Sequence, residues 1–277
     1  MKKLLTILLV CLMAVSMLAG CGGNDANNPP ADNDQPQTGN EGQDAAEKTL
    51  WEQIQEAGVI TVGNSPDYEP YEYEEGDGTV VGFDIDLLDL ICQELGIKYE
   101  LVTLTFENIE TAVQTGQVNV GMSGLSVTPE RQQTFDFTTP YFSSGQAIAV
   151  NPDSGYTTIE DLAGKKITAG MGTTGMDAAQ KNIPDADVIG MDNYALAFMQ
   201  LKNKGCDAAV ADLPVVQKYA AKDGFTILEQ VLSYEDNAIL VAKGNEDLVE
   251  ALNGAIASLK ENGKIDELTQ KWMVGEE

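Results

Sequence analysis

Lys166-Ile167-Thr168-Ala169-Gly170-Met171-Gly172-Thr173-Thr174-Gly175 decides the fold class of this chain. Lys166 to Ala169 reads as a strand, the glycine-rich turn stops it, and a helix opens behind the turn and runs to about Asn182, with Pro184 beyond. The unit repeats downstream. Val188 to Met191 is expected as a strand, Tyr194 to Lys202 as a helix, and Ala208 to Ala211 as a strand ending in Asp212. A helix to about Ala220 and a strand near Phe225 to Leu228 follow. Short β-rich runs alternating with amphipathic helices are the pattern of α/β architecture.

Upstream the same alternation holds. Val59 to Gly63 reads as the first strand, followed by a loop from Asn64 to Tyr73 rich in aromatic and acidic residues. Val80 to Phe83 leads into a helix from Asp84 to Leu95, whose apolar positions Ile85, Leu88, Ile91, Cys92 and Leu95 recur at helical spacing before Gly96. Lys98 to Leu101, Val118 to Met122, Phe135 to Phe137 and Ala147 to Val150 are expected strands, with a helix from about Glu107 to Thr115. Thr128 is placed to cap a helical turn that Pro129 begins. A second lobe starts after Val150, with a short helix at Ile159 to Leu162. Ala238 to Ala242 returns the chain toward the first lobe. A long helix from Glu246 to Lys260 carries Leu248, Leu252, Ile256 and Leu259 on one face, and a terminal helix runs from Lys264 to Met273.

The amino terminus is of another kind. Met1, Lys2 and Lys3 precede an apolar run from Leu4 to Leu18, too short for a permanent membrane span, and the whole reads as a secretory signal over residues 1–20. Leu18-Ala19-Gly20-Cys21 resembles a bacterial lipobox, which implies that Cys21 is diacylated and becomes the first mature residue. Residues 21–49 hold Gly, Asn, Asp, Pro and Gln with almost no large apolar side chain, the composition of a flexible tether.

Charge and composition exclude several classes. The chain has 44 acidic and 16 basic residues, a net charge of −28 and no histidine. There is no cationic footprint for nucleic acid or for anionic lipid, so any membrane attachment falls to the lipid. Without histidine a Ser-His-Asp triad is impossible and a typical zinc site nearly so. No cofactor is expected. Cys92 and Cys206 are the cysteines of the folded part and are expected free, being placed in different lobes.

Four features carry candidate chemistry. Gly170-Met171-Gly172-Thr173-Thr174-Gly175 fits G-x-G-x-x-G, with Asp192 near the expected distance. Dinucleotide binding ranks low for an exported, tethered chain. Glycines and N–H groups at a helix start equally suit a carboxylate, and a plain tight turn suits them too. Arg131, with hydroxyls at Ser123, Ser126 and Thr128 close in sequence, can grip a carboxylate through two parallel hydrogen bonds, or pair with one of the many acids. Asp212 at a strand's carboxyl end can hold an ammonium group or cap the next helix. Tyr68, Tyr71, Tyr73 and Phe106 can stack on a ligand side chain or pack as core.

Taken together, these pieces resemble the family 3 solute-binding proteins, the polar amino acid receptors of ABC importers. The matching pieces are Val62-Gly63-Asn64-Ser65-Pro66-Asp67-Tyr68-Glu69-Pro70-Tyr71-Glu72, Gly82-Phe83-Asp84-Ile85-Asp86-Leu87, and Ser123-Gly124-Leu125-Ser126-Val127-Thr128-Pro129-Glu130-Arg131. Asp136-Phe137-Thr138, Gly172-Thr173-Thr174, Asp207-Ala208-Ala209-Val210-Ala211-Asp212 and the tail from Glu261-Asn262-Gly263 to Lys271-Trp272 complete the order. The resemblance implies a two-lobed periplasmic-binding-protein-like fold of type II. Lobe 1 is expected over 50–146 and 242–277 and lobe 2 over 147–241, with crossing strands near Gly145 to Ala149 and Asn237 to Val241.

It also implies roles. Arg131 would clamp the ligand α-carboxylate with the N–H of Ser126 and Thr174, and Asp212 would take the α-ammonium with the carbonyl of Gly124. Tyr68 and Phe106 would flank the side chain, and Asn64, Ser65, Ser123, Gly170, Met171 and Gly175 would line the specificity end. Two departures bear on specificity. Ser65 stands where many receptors for basic amino acids carry an acid, with Asp67 and Glu69 nearby as substitutes, and Gly175 stands where several relatives carry Gln or another polar side chain. The balance leans toward a neutral polar amino acid. The expected partners are a free amino acid and the importer's membrane subunits, for a monomer tethered by lipid at the extracellular or periplasmic face. An enzyme of the cyclohexadienyl or arogenate dehydratase kind, drawing on Lys165, Lys166 and the acids, and an accessory sensor module are the alternatives.

Overall fold

The computed structural model of the chain describes residues 48–274. The expected signal segment, Cys21 and the tether up to residue 47 lie outside the described residues.

The ordered chain opens with a helix that the sequence reading did not anticipate. Thr49 accepts a hydrogen bond from the Glu52 N–H, and the Glu52 side chain accepts one from the Thr49 N–H. This reciprocal cap starts α1 (Leu50–Ala57). Next come β1 (Val59–Asn64), β2 (Asp67–Tyr68), β3 (Glu72–Glu74), β4 (Val80–Val81), α2 (Phe83–Leu95) and β5 (Lys98–Thr103). They are followed by α3 (Phe106–Gln114), β6 (Val120–Gly121), α4 (Arg131–Thr134), β7 (Phe135–Phe137) and the long β8 (Phe142–Val150). After a 3₁₀ turn at Glu160–Leu162 the chain continues through β9 (Lys166–Gly170), α5 (Thr174–Asn182), β10 (Asp187–Met191) and α6 (Tyr194–Lys202). Then come β11 (Ala208–Asp212), α7 (Leu213–Asp223) and β12 (Thr226–Ile227). Finally β13 (Tyr234–Asn237) and β14 (Leu240–Ala242) return the chain to α8 (Glu246–Glu261), α9 (Lys264–Thr269) and a π turn at Gln270–Val274.

These elements build two lobes, each a sheet covered by helices on both faces. The first sheet has strand order β5-β1-β6-β14-β7, the second β10-β9-β11-β8-β12. In the first lobe α2 and α8 bury Leu87, Leu88, Ile91, Leu248, Leu252 and Ile256 on one side. On the other side α3 buries Ile109, Ala112 and Val113 against Leu125, Phe135 and Leu240. Each fully buried aliphatic side chain of this kind stabilises the fold by about 1.5–3 kcal/mol, which is why the helical spacing of Leu248, Leu252 and Ile256 was readable. The second sheet holds α5 on one face through Ala179 and Ile183, and α6 and α7 on the other through Phe198, Val215 and Val216. Ala147 to Val150 and all of β11 are buried, as strands covered on both faces must be.

Two expectations need correction. The stretch Asn64 to Tyr73, read as a loop, carries β2 and most of β3, which pair antiparallel with each other, and β3 pairs in turn with β4. Strands of two or three residues are too short to show a period of two. The crossing between lobes also lies earlier than expected. Phe142 to Gly145 pairs with Tyr234 to Asn237, while Gln146 to Asp212 already opens the second sheet's ladder. Leu240 and Val241 pair with β6 and β7, so they belong to the first lobe rather than the second. The cause is that β8 is one nine-residue strand whose first half pairs with β13 and whose second half joins the second sheet.

Candidate functional site

Between the lobes lies a narrow cavity lined from both sides. The first lobe supplies the loop after β6, with Ser123, Gly124 and Ser126, the β2 region with Ser65 and Tyr68, and Phe106 at the start of α3. The second lobe supplies Gly170 and Met171 at the end of β9, Thr173 and Thr174 at the start of α5, and Asp212 at the end of β11. Ten of the thirteen expected ligand residues therefore meet on one cavity: Ser65, Tyr68, Phe106, Ser123, Gly124, Ser126, Gly170, Met171, Thr174 and Asp212. Asn64, Arg131 and Gly175 do not line it.

At one end Asp212 is 3% exposed. It does not cap α7 with its side chain. One oxygen instead accepts the Tyr68 hydroxyl from the opposite lobe, while the Asp212 N–H donates to that same hydroxyl oxygen at 3.0 Å. The other oxygen, Oδ1, has no hydrogen-bond partner. Burial pushes the Asp212 carboxyl up to about 6, against the pull of the Tyr68 hydrogen bond. Burial and then the Asp212 charge push the Tyr68 phenol well above its ordinary range, so it stays a donor. Gly124 sits beside this pair at φ 56, and a Cβ there would come within 3.2 Å of the Tyr68 ring. Its carbonyl accepts from Asn237 Nδ2 at 2.8 Å, tying the loop to the crossing strand β13.

The other end is built around Arg131, 8% exposed, in a recess that shares Thr174 with the cavity. Thr128 accepts the Arg131 N–H at 3.1 Å, the capping expected of it. Nε of the guanidinium donates to Glu110 Oε1 at 2.8 Å, one terminal nitrogen to the Ser126 carbonyl at 2.9 Å, and the other to the Gly172 carbonyl at 3.4 Å. Those contacts use three of its five N–H groups. The Phe106 ring lies under it, 5.7 Å from centroid to guanidinium carbon. Both readings of Arg131 thus meet at one residue: it pairs with an acid, and it stands against the cleft. Thr174 is the first residue of α5, so its N–H has no acceptor within the helix. The Thr173 side chain caps that helix by accepting from the Met176 N–H.

Behind the loop after β6 two acids are fully buried. Glu72 Oε1 accepts the Ser123 hydroxyl at 2.7 Å. Asp84 Oδ2 accepts the Gly124 N–H at 2.8 Å and the Tyr141 hydroxyl at 2.9 Å. Burial, then the neighbouring Asp84 charge, pushes the Glu72 carboxyl well up, and burial pushes Asp84 up to about 7. Two carboxyls this close and this dry share a proton. The pair fixes the loop from below and gives it a floor on α2 and β3.

Of the two acids named as substitutes beside Ser65, Asp67 lines the cavity and Glu69 does not, and the sequence reading missed other lining residues, Glu72, Gln146 and Tyr194 among them. Gln146 stands directly before the apolar run Ala147 to Val150 of β8, after Ser143, Ser144 and Gly145, so the sequence carries no break that singles it out. Its Oε1 has no partner, and a Cβ on Gly175 would lie 2.6 Å from it. Gly175 therefore acts by leaving room for Gln146 rather than by touching the cavity. Tyr194 reads as a core aromatic at a helix start, yet its hydroxyl has no partner and its N–H donates across the cleft to Asp67 Oδ2 at 3.0 Å. Among the other aromatics, Tyr71 is core, packed edge-on against Phe83 and Phe142, and Tyr73 packs edge-on against Trp272. Cys92 and Cys206 are both buried and free. Among the described residues no group of His, Cys, Asp and Glu is placed to hold a metal, and no helix is long and apolar enough to cross a membrane.

Comparisons with known proteins agree with this geometry. Residues 60–275 match the model for bacterial extracellular solute-binding proteins, family 3. The chain is 28% identical over 233 residues to the L-cystine-binding protein TcyJ of Escherichia coli, covering 82% of this chain and 87% of that protein. It is 29% identical to the arginine-binding extracellular protein ArtP of Bacillus subtilis, covering 78% and 87%. Among solved structures, the ancestral amino acid-binding protein AncCDT-1, a precursor of cyclohexadienyl dehydratase, superposes with a TM-score of 0.75 at 34% identity, covering 80% of this chain and 98% of that one.

Proposed function

The chain belongs to the family 3 bacterial extracellular solute-binding proteins, and on that premise we propose that its cleft closes on one free α-amino acid and presents it to the membrane subunits of an ABC importer. One observation carries the reading. Asp212 is a buried carboxylate with an unpartnered oxygen on a cavity that both lobes line, with the Arg131 guanidinium next to that cavity's far side. An α-amino acid is the small molecule whose two charges fit those two ends.

In this arrangement the ligand ammonium donates to Asp212 Oδ1 and to the Gly124 carbonyl. The ligand carboxylate takes the two remaining N–H groups of Arg131 and the N–H of Thr174, at the positive end of α5. The side chain runs between Tyr68 and Phe106 toward Ser65 and Met171. No bond in the ligand breaks, so all that is required is tighter binding to the closed state than to the open one. Cross-lobe contacts already suit closure: Ser126 Oγ lies 3.3 Å from Thr174 Oγ1, and the Tyr68 hydroxyl reaches Asp212. The names of TcyJ and ArtP, both amino acid binders, support the ligand class.

The anchor is the second part of the proposal. Cys21 carries the lipid, and residues 21–49 tether a monomeric receptor at the outer face of the cell membrane. Mass spectrometry of the mature amino terminus from the native membrane tests this: an unmodified terminus, or cleavage elsewhere, sinks it.

An enzymatic reading draws support from the kinship with AncCDT-1. Of the groups considered for that chemistry, neither Lys165, which lies over the Tyr156 ring, nor Lys166 lines the cavity, whereas acids such as Asp67 and Asp212 do. Isothermal titration of the purified protein with the twenty amino acids separates the readings. One saturable 1:1 ligand is expected, with no turnover of prephenate or arogenate. Silence across the panel, or turnover, overturns the receptor reading.

A further inference from the structure

The charge on the cavity wall is one-sided. Five carboxyl residues line it, Asp67, Glu72, Glu107, Asp192 and Asp212, and no Lys or Arg does. Glu72 is fully buried beside Asp84, accepts the Ser123 hydroxyl, and is held by burial toward its protonated form, so it serves the loop behind the wall. Arg131, the cation of the neighbouring recess, is already bonded to Glu110. A neutral zwitterion brings one ammonium and one carboxylate. The ammonium answers Asp212 and the carboxylate answers Arg131; of the remaining acids Glu107 and Asp192 are exposed to water, which leaves Asp67.

Asp67 is the best placed of these. It lies on β2 beside Tyr68, half-buried, and it forms no salt bridge. Its Oδ2 accepts the Tyr194 N–H from the other lobe at 3.0 Å, and its Oδ1 accepts the Ser65 hydroxyl at 3.2 Å. Those donors orient it as a carboxylate against the cost of partial burial. An independent feature points the same way. The Tyr194 side chain, 5% exposed, lines the cavity with an unpartnered hydroxyl, and its ring stands 4.5 Å from that of Tyr68. Two adjoining aromatic rings on a wall that also carries an acid without a counter-cation suit an apolar stem with a positive tip.

We propose that the ligand is a basic amino acid, of the arginine, lysine or ornithine class, whose side-chain cation is taken by Asp67 while its stem lies along Tyr68 and Tyr194. This rests on the reading of the cleft as an amino acid site, and it makes Asp67 the specificity-determining residue. It replaces the lean toward a neutral ligand, which rested on Ser65. That serine now has a use, since it donates to the acid that does the work.

The test uses matched pairs in isothermal titration with the purified protein: arginine against citrulline, and lysine against ε-acetyl-lysine. The first pair keeps length and shape and removes the charge, so it decides; the second removes the charge but adds an acetyl group, so it counts only where it agrees with the first. The charged member is expected to bind about 30-fold more tightly, the size of one charge-assisted hydrogen bond. Asp67→Asn should weaken the charged member about tenfold or more and leave the neutral member within about threefold, so neutral binding itself reports an intact fold. Asp67→Glu should retain most of the discrimination. Citrulline binding as well as arginine would overturn the charge inference and leave the amino acid reading standing. Discrimination that survives Asp67→Asn would overturn the assignment to this residue. No binding by any member of either pair, nor by the twenty amino acids, would overturn the amino acid reading and this inference with it.

Discussion

The two ends of the cleft are built on opposite principles. At the Asp212 end a single carboxylate sits dry and under-bonded, held by one phenol from across the gap. At the Arg131 end the guanidinium is already satisfied by Glu110 and by two carbonyls, one from each lobe. The first end is a preformed demand for a cation. The second must exchange existing contacts for those of a ligand. The difference implies that most of the binding energy for an amino acid is released at Asp212, and that Arg131 contributes orientation and a smaller net gain. Desolvation explains why: a buried charge without a partner costs more than a buried charge that has one.

The sharpest way to break this comparison is to neutralise each end in turn. Asp212→Asn keeps shape and loses the charge, and affinity should fall by about 2–5 kcal/mol, the range for removing one member of a buried charged pair. Arg131→Lys keeps the charge but not the planar fork, and should cost less, about 1–2 kcal/mol. Both are read by titration with the ligand that the amino acid panel identifies. An Arg131→Lys loss equal to or larger than that of Asp212→Asn would show that the ends are equivalent.

Proton linkage sharpens the same point without a ligand. Burial raises Asp212 to about 6 and Asp84 to about 7 from an ordinary 3.8. A carboxyl that holds its proton more tightly in the folded chain than in the unfolded one stabilises the fold at low pH. That contribution is complete below about pH 3.8 and is lost as pH rises through 6 to 7. The ligand-free protein should therefore melt at a higher temperature near pH 5 than near pH 8. Asp212→Asn should flatten the difference, removing on the order of 1–1.5 kcal/mol of it. A bound ammonium beside Asp212 favours its ionised form, so saturating ligand should flatten the slope too. A slope unchanged by both would place the titration elsewhere, in the Glu72–Asp84 pair.

How much of this was legible in the sequence follows from the same physics. The α/β alternation and the long faces of α2 and α8 were, because Leu88 and Ile91, or Leu248, Leu252 and Ile256, repeat at helical spacing. Asp212 and Thr174 were, because they end a strand and open a helix. The helix α1 was missed although Thr49 and Glu52 stand at capping-box spacing and the ordered part was expected to open near Leu50, since its two turns bury only Ile54. The small sheet of β2, β3 and β4 has no period to read. The lining acids were only half legible for a different reason: Asp67 was named beside Glu69 as a substitute, and Glu72 was not. Asp67 and Glu72 were quoted as part of a matching motif, but which wall of which cavity they face is settled by the turn of β2 into β3 and by the loop from β6 packed behind them. The reach of Gln146 depends on an absent side chain at Gly175, twenty-nine positions later, a pairing that no local pattern contains.

The smallest expected effect concerns Glu110, and it decides what the contacts at the Arg131 end are for. The Glu110 bond falls on Nε, leaving the two terminal nitrogens turned toward the carbonyls of Ser126 and Gly172. In that geometry Glu110 holds the plane of the fork rather than competing for its tips, since a carboxylate ligand would use the terminal groups. Glu110 is also 38% exposed, so solvent screens the pair and its worth to folding is small, within about 1 kcal/mol. Glu110→Gln should therefore leave the melting temperature nearly unchanged and weaken ligand binding about two- to fivefold, through a looser guanidinium. An affinity that rises instead would mean that Glu110 and the ligand carboxylate compete for the same cation. The Arg131 end would then be a latch that the ligand has to open, and the contrast with Asp212 would be wider than drawn here.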